Sequence, residues 1–247
     1  MLEAPIIESS QAHPAVRPGG SPTLVLASAS PRRRELLAAL GASFASIATD
    51  AEDHDTPTPP AVAAALPTLP IPHSNHPTLL AWRKAVAAAT LAPGAVVLGG
   101  DTVVVIDGAV LNKPSDAAHA RAMLATLSGR THTVYTGLVV LHRERQWLEV
   151  VAAEVEFAPL SADQIAAYVA TGEPLDKAGA YGLQGEGRAL VRSVRGSYTA
   201  VVGLPLTETR RMLMAAGIVG LGDPAATYQR WLQSHGKEPL PCPPTAP

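Results

Sequence analysis

A five-residue apolar run, TLVLA at residues 23–27, passes directly into SASPRRRELLAALG. The run reads as a short buried strand. The stretch after it reads as a helix start: Ser30 can accept from a free backbone N–H, Pro31 suits the first helical position, and Gly41 suits the exit. Leu36, Leu37 and Leu40 give that helix one apolar face. A strand handed straight to a capped helix points to a sheet covered by helices. The alternation continues downstream. SFASIAT reads as a strand and TLLAWRKAVAAATLA, from Thr78, as a helix. AVVLGGDTVVVIDGAVL reads as two strands around an Asp107–Gly108 turn. Ser115 is the expected cap of DAAHARAMLATL, which stops at Gly129. THTVYTGLVVLHR and QWLEVVAAEVEFA read as long paired strands. Ser161 caps a helix through Tyr168 that ends at Gly172. A further strand and the helix LTETRRMLMAAG follow. The expected class is mixed α/β, a twisted sheet with flanking helices.

Other parts of the chain lack this order. Residues 1–22 are read as a disordered leader, without the charged-then-apolar layout of a signal peptide. Residues 54–77 are rich in proline and histidine, show no sustained period, and read as a surface insertion within a domain at residues 23–220. Residues 221–247 form a C-terminal extension whose KEPLPCPPTAP end is expected to fray. With 47% hydrophobic residues in 247, the chain can bury a substantial core. Its formal charge of −2 argues against a broad nucleic-acid or membrane surface. One cysteine, Cys242, rules out an internal disulfide framework and fits a reducing cytoplasm. No apolar run is long enough to span a bilayer.

Local charge then needs a local explanation. Arg32, Arg33 and Arg34 crowd the first turn of the first helix, where the backbone is already positive. A solvated face, with Glu35 pairing a neighbouring arginine, accounts for one of them. A bound anion accounts for the cluster, because free N–H groups and guanidinium forks make a phosphate cradle with Ser28 and Ser30. Asp101 stands where the apolar run AVVLGG ends, placed to hold a divalent cation or take a proton from water, or simply to bond a turn. Lys84 and Lys113 are candidate phosphate partners or ordinary exposed lysines. Asp50, Glu52 and Asp53 are candidate metal ligands or solvated charges. The glycines of TGEPLDKAGAYGLQGEG allow close approach to a ligand, or belong to a flexible loop. Asp176, Lys177 and Gln184 supply polar groups there. The Gln184 amide carries the acceptor and donor needed to read an imide edge such as uracil's. His132 can serve in proton transfer or as a hydrogen-bonded structural histidine.

Taken in order, LASASPRRRELL, LAWRKA, GDTVV…LNKP, LSGRTHTVYTG and TGEPLDKAGAYGLQG…GSYTAVVGLPL closely resemble the Maf-like nucleoside triphosphate pyrophosphatases, from Thr23 to Gly217. The resemblance implies two α/β lobes around a nucleotide cleft, related to the inosine triphosphate pyrophosphatase fold, and a homodimer. It implies hydrolysis to a nucleoside monophosphate and pyrophosphate with Mg²⁺ or Mn²⁺. Asp101 matches the family's catalytic aspartate, and either Glu52 or Asp53 its further metal-site acid. Arg32, Thr102 and Gln184 match positions tied to substrate choice. Their identities follow the dTTP/UTP branch, whereas the 7-methyl-GTP branch carries Trp and Glu at 32 and 184. Gly100 departs from the usual alanine.

The expectation is a cytoplasmic, house-cleaning hydrolase of the nucleotide pool that binds neither nucleic acid nor membrane. The alternatives weighed are a nucleotide-binding regulator of cell division with little turnover and a pyrophosphatase for a modified purine nucleotide.

Overall fold

The computed structural model describes residues 22–49, 51 and 57–242. In chain order its elements are β1 (Leu24–Ala27), α1 (Pro31–Ala39), β2 (Ala45–Ser46), α2 (Pro60–Ala65), α3 (Pro77–Leu91), β3 (Val96–Ile106), β4 (Ala109–Leu111), α4 (Ala117–Leu127), β5 (Thr131–His142), β6 (Arg145–Phe157), α5 (Ala162–Ala170), β7 (Val191–Gly196), α6 (Tyr198–Val202), α7 (Leu206–Ala215) and α8 (Pro224–Ser234). The strands form one mixed sheet in the order β2-β1-β3-β5-β6-β7, with β4 paired to β3 off that path. The expected α/β class is what forms. None of the described helices is long and apolar enough to cross a membrane.

The two-residue period of a strand sorts the core. Leu24, Leu26, Val96, Leu98, Leu138 and Val140 face one layer, built on α1, α4, α5, α7 and α8. Val25, Ala27, Val97 and Val139 face the other, filled by Leu79, Ala81, Trp82, Ala85 and Ala88 of α3. Helix α3 lies unusually close to the sheet. A Cβ at Gly99 would stand 2.3 Å from the Ala81 carbonyl oxygen, and one at Gly137 would stand 2.2 Å from the Thr78 nitrogen. Both glycines are therefore needed for contact rather than for turns.

The register of β3 opens the sheet at one point. Residues 96–99 pair in parallel with β1, and residues 104–106 pair antiparallel with β4. Strand β5 pairs along the opposite edge from 97 to 105. Strands β1 and β4 thus share an edge, and among the described residues 100–103 have no strand between them. Gly100, Asp101 and Thr102 sit in that opening, just beyond the carboxyl end of β1, where open α/β sheets place ligands.

Several local expectations need correcting. Helix α4 is capped by Asp116, whose Oδ1 accepts from His119 N at 2.8 Å, not by Ser115. The shorter aspartate-to-helix path wins, and the Ser115 hydroxyl donates to Asp116 instead. Within the proline-rich segment, residues 57–76 carry α2 and a 3-10 turn at His73–Asn75, and Val62 is buried in the α3 layer. His76 secures the segment: its Nδ1 accepts from Thr78 N, and its Nε2 lies 2.7 Å from the Pro67 carbonyl oxygen. Helices α6 and α8 were not anticipated. The latter buries Trp231 and Leu232, and the chain beyond it returns so that Pro241 O accepts from Val194 N in β7.

His132 is a core residue. Its ring packs edge-on against Phe157 and Tyr181, with Nε2 2.8 Å from the tyrosine oxygen. Burial pushes its pKa from 6.5 down to about 4. The folded state therefore excludes a proton that the unfolded chain binds below pH 6.5. This contribution to stability is fully present above that value and is lost as pH falls through about 4, amounting to about 3 kcal/mol. His132→Gln should be destabilising near neutral pH, with a deficit relative to wild type that shrinks by up to this amount on acidification. Urea denaturation of both proteins across that range measures it, and a constant deficit would count against the assignment.

Candidate active site

The opening in the sheet is the floor of a cavity of about 550 Å³, a size suited to a nucleotide-sized ligand. Its walls come from four parts of the chain. The β1–α1 junction supplies Ser28, Ser30, Arg32 and Arg33; α3 supplies Lys84; β3 and the loop after β4 supply Asp101, Thr102, Asn112 and Lys113; the glycine-rich segment supplies Asp176, Lys177, Tyr181 and Gln184. Arg32 and Asp101 therefore share one cavity. Asp50, Glu52 and Asp53 lie outside the described residues.

Ser30 begins α1 as its N-cap, accepting from Arg33 N at 3.4 Å, and Pro31 takes the first helical position. This cap turns Arg33 inward. Its guanidinium is buried and bonded at each nitrogen: Nε donates to Gly203 O at 2.8 Å, Nη1 to Ser28 Oγ at 3.2 Å and Nη2 to Thr102 Oγ1 at 3.1 Å. Burial lowers its pKa, the charge of Asp101 raises it and Arg32 lowers it again, but a guanidinium keeps its proton throughout. Gly100 gives this side chain room. A Cβ there would stand 3.1 Å from Arg33 Nε, so an alanine at this position would require the guanidinium to yield by a few tenths of an ångström.

Thr102 is more constrained than expected for a residue that reads a ligand. Thr136 Oγ1 donates its single proton to Ala200 O at 2.7 Å. In its 2.9 Å contact with Thr102 it must therefore accept, so Thr102 donates there and accepts from Arg33. One lone pair of Thr102 remains for a ligand, and no proton.

Asp101 and Lys84 form an ion pair with Nζ–Oδ1 of 2.7 Å and side chains only 15% and 9% exposed. Burial lowers the lysine pKa most, Asp101 draws it back up, and Arg33 and Lys113 lower it further. Asp101 Oδ2 takes part in no hydrogen bond among the described residues. On the opposite wall, Arg32 Nη1 lies 3.4 Å from Asp176 Oδ2, and Lys177 Nζ donates to Asp176 Oδ1 at 2.6 Å. Burial pushes the Asp176 pKa up, but the hydrogen bond and charge of Lys177, with the charge of Arg32, bring it below the usual value. Glu35 does not pair within its own helix. It accepts from Gln184 Nε2 at 3.2 Å and from Trp231 Nε1 at 2.8 Å.

The glycine-rich segment is built rather than loose. Glu173 accepts from Tyr168 OH at 3.0 Å and from Glu186 N at 2.8 Å, while its carbonyl accepts from Lys177 Nζ at 2.6 Å. A Cβ at Gly185 would collide with that carboxylate at 2.2 Å. The sequence reading missed Glu173 and Tyr168. Their spacing of five residues across a helix end is the signal that was available.

Five cationic side chains, Arg32, Arg33, Lys84, Lys113 and Lys177, thus face two carboxylates, Asp101 and Asp176, around the cavity. No group of three or more His, Cys, Asp or Glu able to hold a metal exists among the described residues. Hard oxygen donors and surplus positive charge suit a polyanion.

A family model described as "Maf-like protein" matches residues 23–216. The chain is 47% identical over 198 residues to a protein of Symbiobacterium thermophilum named dTTP/UTP pyrophosphatase, covering 78% of this chain and 94% of that one. It is 49% identical over 197 residues to a Moorella thermoacetica protein of the same name, covering 79% and 95%. A Salmonella typhimurium protein, also so named, is 47% identical over 192 residues, covering 77% and 91%. The matched segment takes in every strand of the sheet and every residue lining the cavity, and this chain belongs to the Maf-like protein family.

Proposed function

We propose that this chain hydrolyses a nucleoside triphosphate between its α and β phosphates, releasing the nucleoside monophosphate and pyrophosphate, with dTTP and UTP as substrates. The observation that carries the reading is the convergence of Arg32, Arg33, Lys84, Lys113 and Lys177 on the cavity that holds Asp101. The names of the relatives support the nucleotides.

A triphosphate resists attack because its charge repels an incoming hydroxide. The cationic walls screen that charge, and a buried setting strengthens the effect. Arg33 is fixed at all three nitrogen positions, so it needs little reorganisation when phosphate arrives. Arg32 and Lys177 exchange Asp176 for phosphate oxygens. Lys84 anchors Asp101 through Oδ1, leaving Oδ2 to face the attacking water and receive its proton as oxygen bonds to the α phosphorus. The bond to the bridging oxygen breaks, and pyrophosphate leaves with that oxygen against the lysines and arginines.

The donor set fits Mg²⁺ or Mn²⁺ that arrives with the triphosphate: one aspartate oxygen without a hydrogen bond among the described residues, with phosphates supplying further hard ligands. Asp101 would hold it, together with Glu52 or Asp53, as the alternative to taking the proton of the attacking water. Such an ion, when bound, neutralises phosphate charge and makes coordinated water more acidic.

Pyrophosphate release from UTP and dTTP by the purified chain, with Mg²⁺ present, tests the proposal directly. Asp101→Asn should lower kcat by roughly 10²–10⁴-fold while leaving folding and nucleotide binding in place. Full activity in that variant would rule out Asp101 as the proton acceptor. Asp176→Asn should act in the opposite sense, because it frees Arg32 and Lys177 from an internal counter-charge. Its KM for UTP should fall roughly two- to fivefold at low salt with kcat unchanged, an effect that fades as salt screens exposed charge.

A further inference from the structure

Gln184 lines the cavity, and its amide is tied at the back. Nε2 donates to Glu35 Oε2 at 3.2 Å. A carboxylate only accepts, so turning the amide over would set Gln184 Oε1 against Glu35 and cost the contact. The Glu35 carboxylate is itself held from the other side by α8, through Trp231 and, when its ring carries both protons, through His235. Trp231, which is buried, donates from Nε1 to Oε1 at 2.8 Å, and His235 Nε2 lies 2.8 Å from the same oxygen. His235 is oriented in turn by Nδ1, 2.7 Å from the Trp231 carbonyl oxygen. Helix α8 begins at Pro224, beyond the segment that matches the family model.

We propose that α8 is a specificity element: Trp231 and His235, acting through Glu35, lock the Gln184 amide in the one orientation that accepts uracil or thymine and rejects cytosine. The inference rests on the reading of Gln184 as the residue facing the base. An unlocked amide can serve either pyrimidine type. With one face forward it donates to O4 and accepts from N3–H of an imide. Turned over, it accepts from the N4 amino group of cytosine and donates to its bare N3. Only a fixed amide distinguishes them, since the site then presents a donor against a donor. Trp231, His235 and Glu35 are positioning residues in this scheme, and none of them touches the phosphates.

The test compares kcat/KM for UTP with that for CTP in wild type, Gln184→Ala, Glu35→Gln and Trp231→Phe, alongside the melting temperature of each. Glu35 is on the partly exposed side of its helix, so Glu35→Gln should fold normally. Its amide can accept from Trp231 and turn its own N–H groups toward Gln184, which favours the reversed orientation. The UTP/CTP ratio should fall roughly tenfold or more in Glu35→Gln. Trp231→Phe should fall in the same direction by a smaller factor, with CTP turnover rising rather than all activity declining. A ratio that collapses in Gln184→Ala yet is unchanged in the other two folded variants would overturn the role of α8 alone. A ratio unchanged in Gln184→Ala would overturn the base-reading assignment and the lock with it.

Discussion

The arrangement depends on one guanidinium taken out of water. Arg33 belongs to the first turn of α1, yet its three bonding partners lie on the β1–α1 loop, in the middle of β3 and after α6. A single rigid fork thus ties together segments separated by up to 170 residues. Burying such a charge is costly unless it is fully hydrogen-bonded, and here every nitrogen has an oxygen. Lysine could not substitute, because a point charge on a flexible stem cannot meet three acceptors held in a plane. The opening in the sheet needs this clamp. Residues 100–103 lack a strand on one edge among the described residues, and Arg33 lies across that edge, bonded to Thr102 and against Gly100.

The clamp also sets the electrostatics of the cavity. Arg33 and Lys84 are both buried, and burial lowers the affinity of each for a proton; Arg33 lowers that of Lys84 further, Arg32 lowers that of Arg33, and Asp101 offsets both. Among the described residues, five cations and two carboxylates line the cavity. Asp176, itself exposed, pairs with Arg32 and with Lys177, whose ammonium also donates to the Glu173 carbonyl oxygen. Arg33 and Lys84 are held deeper, by fixed oxygen partners.

What could be read from the sequence, and what could not, divides along the reach of each interaction. The strand before Ser30, the Asp107–Gly108 turn and the Ser161 cap are local, and each follows from residues within four positions of one another. The cavity residues were legible as a set because motif order along the chain carries them, and all ten with described positions line one cavity. Their pairings were not legible. Lys84 and Asp101 sit on different elements, and Glu35 finds partners 149 and 196 residues away. No period encodes such contacts, so an i, i+3 partner for Glu35 seemed natural on local grounds. Helix α8 is a different kind of miss. Asp223 followed by Pro224, with Tyr228, Trp231 and Leu232 at helical spacing, is a complete start signal that went unread beside the proline-rich end of the chain.

The arginine cluster in the first turn of α1 resolves into separate tasks rather than one. No acidic residue balances that turn, and the adverse interaction with the helix dipole is about 0.3–1 kcal/mol per charge. Arg33 offsets its share through three structural hydrogen bonds, and Arg32 does so through Asp176. Glu35, the carboxylate next along the helix, is turned to Gln184 and Trp231. That diversion has a physical logic. A Glu35 paired with the arginines would lower the positive charge on the cavity wall and lose its bond to the Gln184 amide. By turning Glu35 to that amide, α1 contributes to the cavity twice: its first turn supplies Arg32 and Arg33, and Glu35 holds the Gln184 side chain that lines the same space.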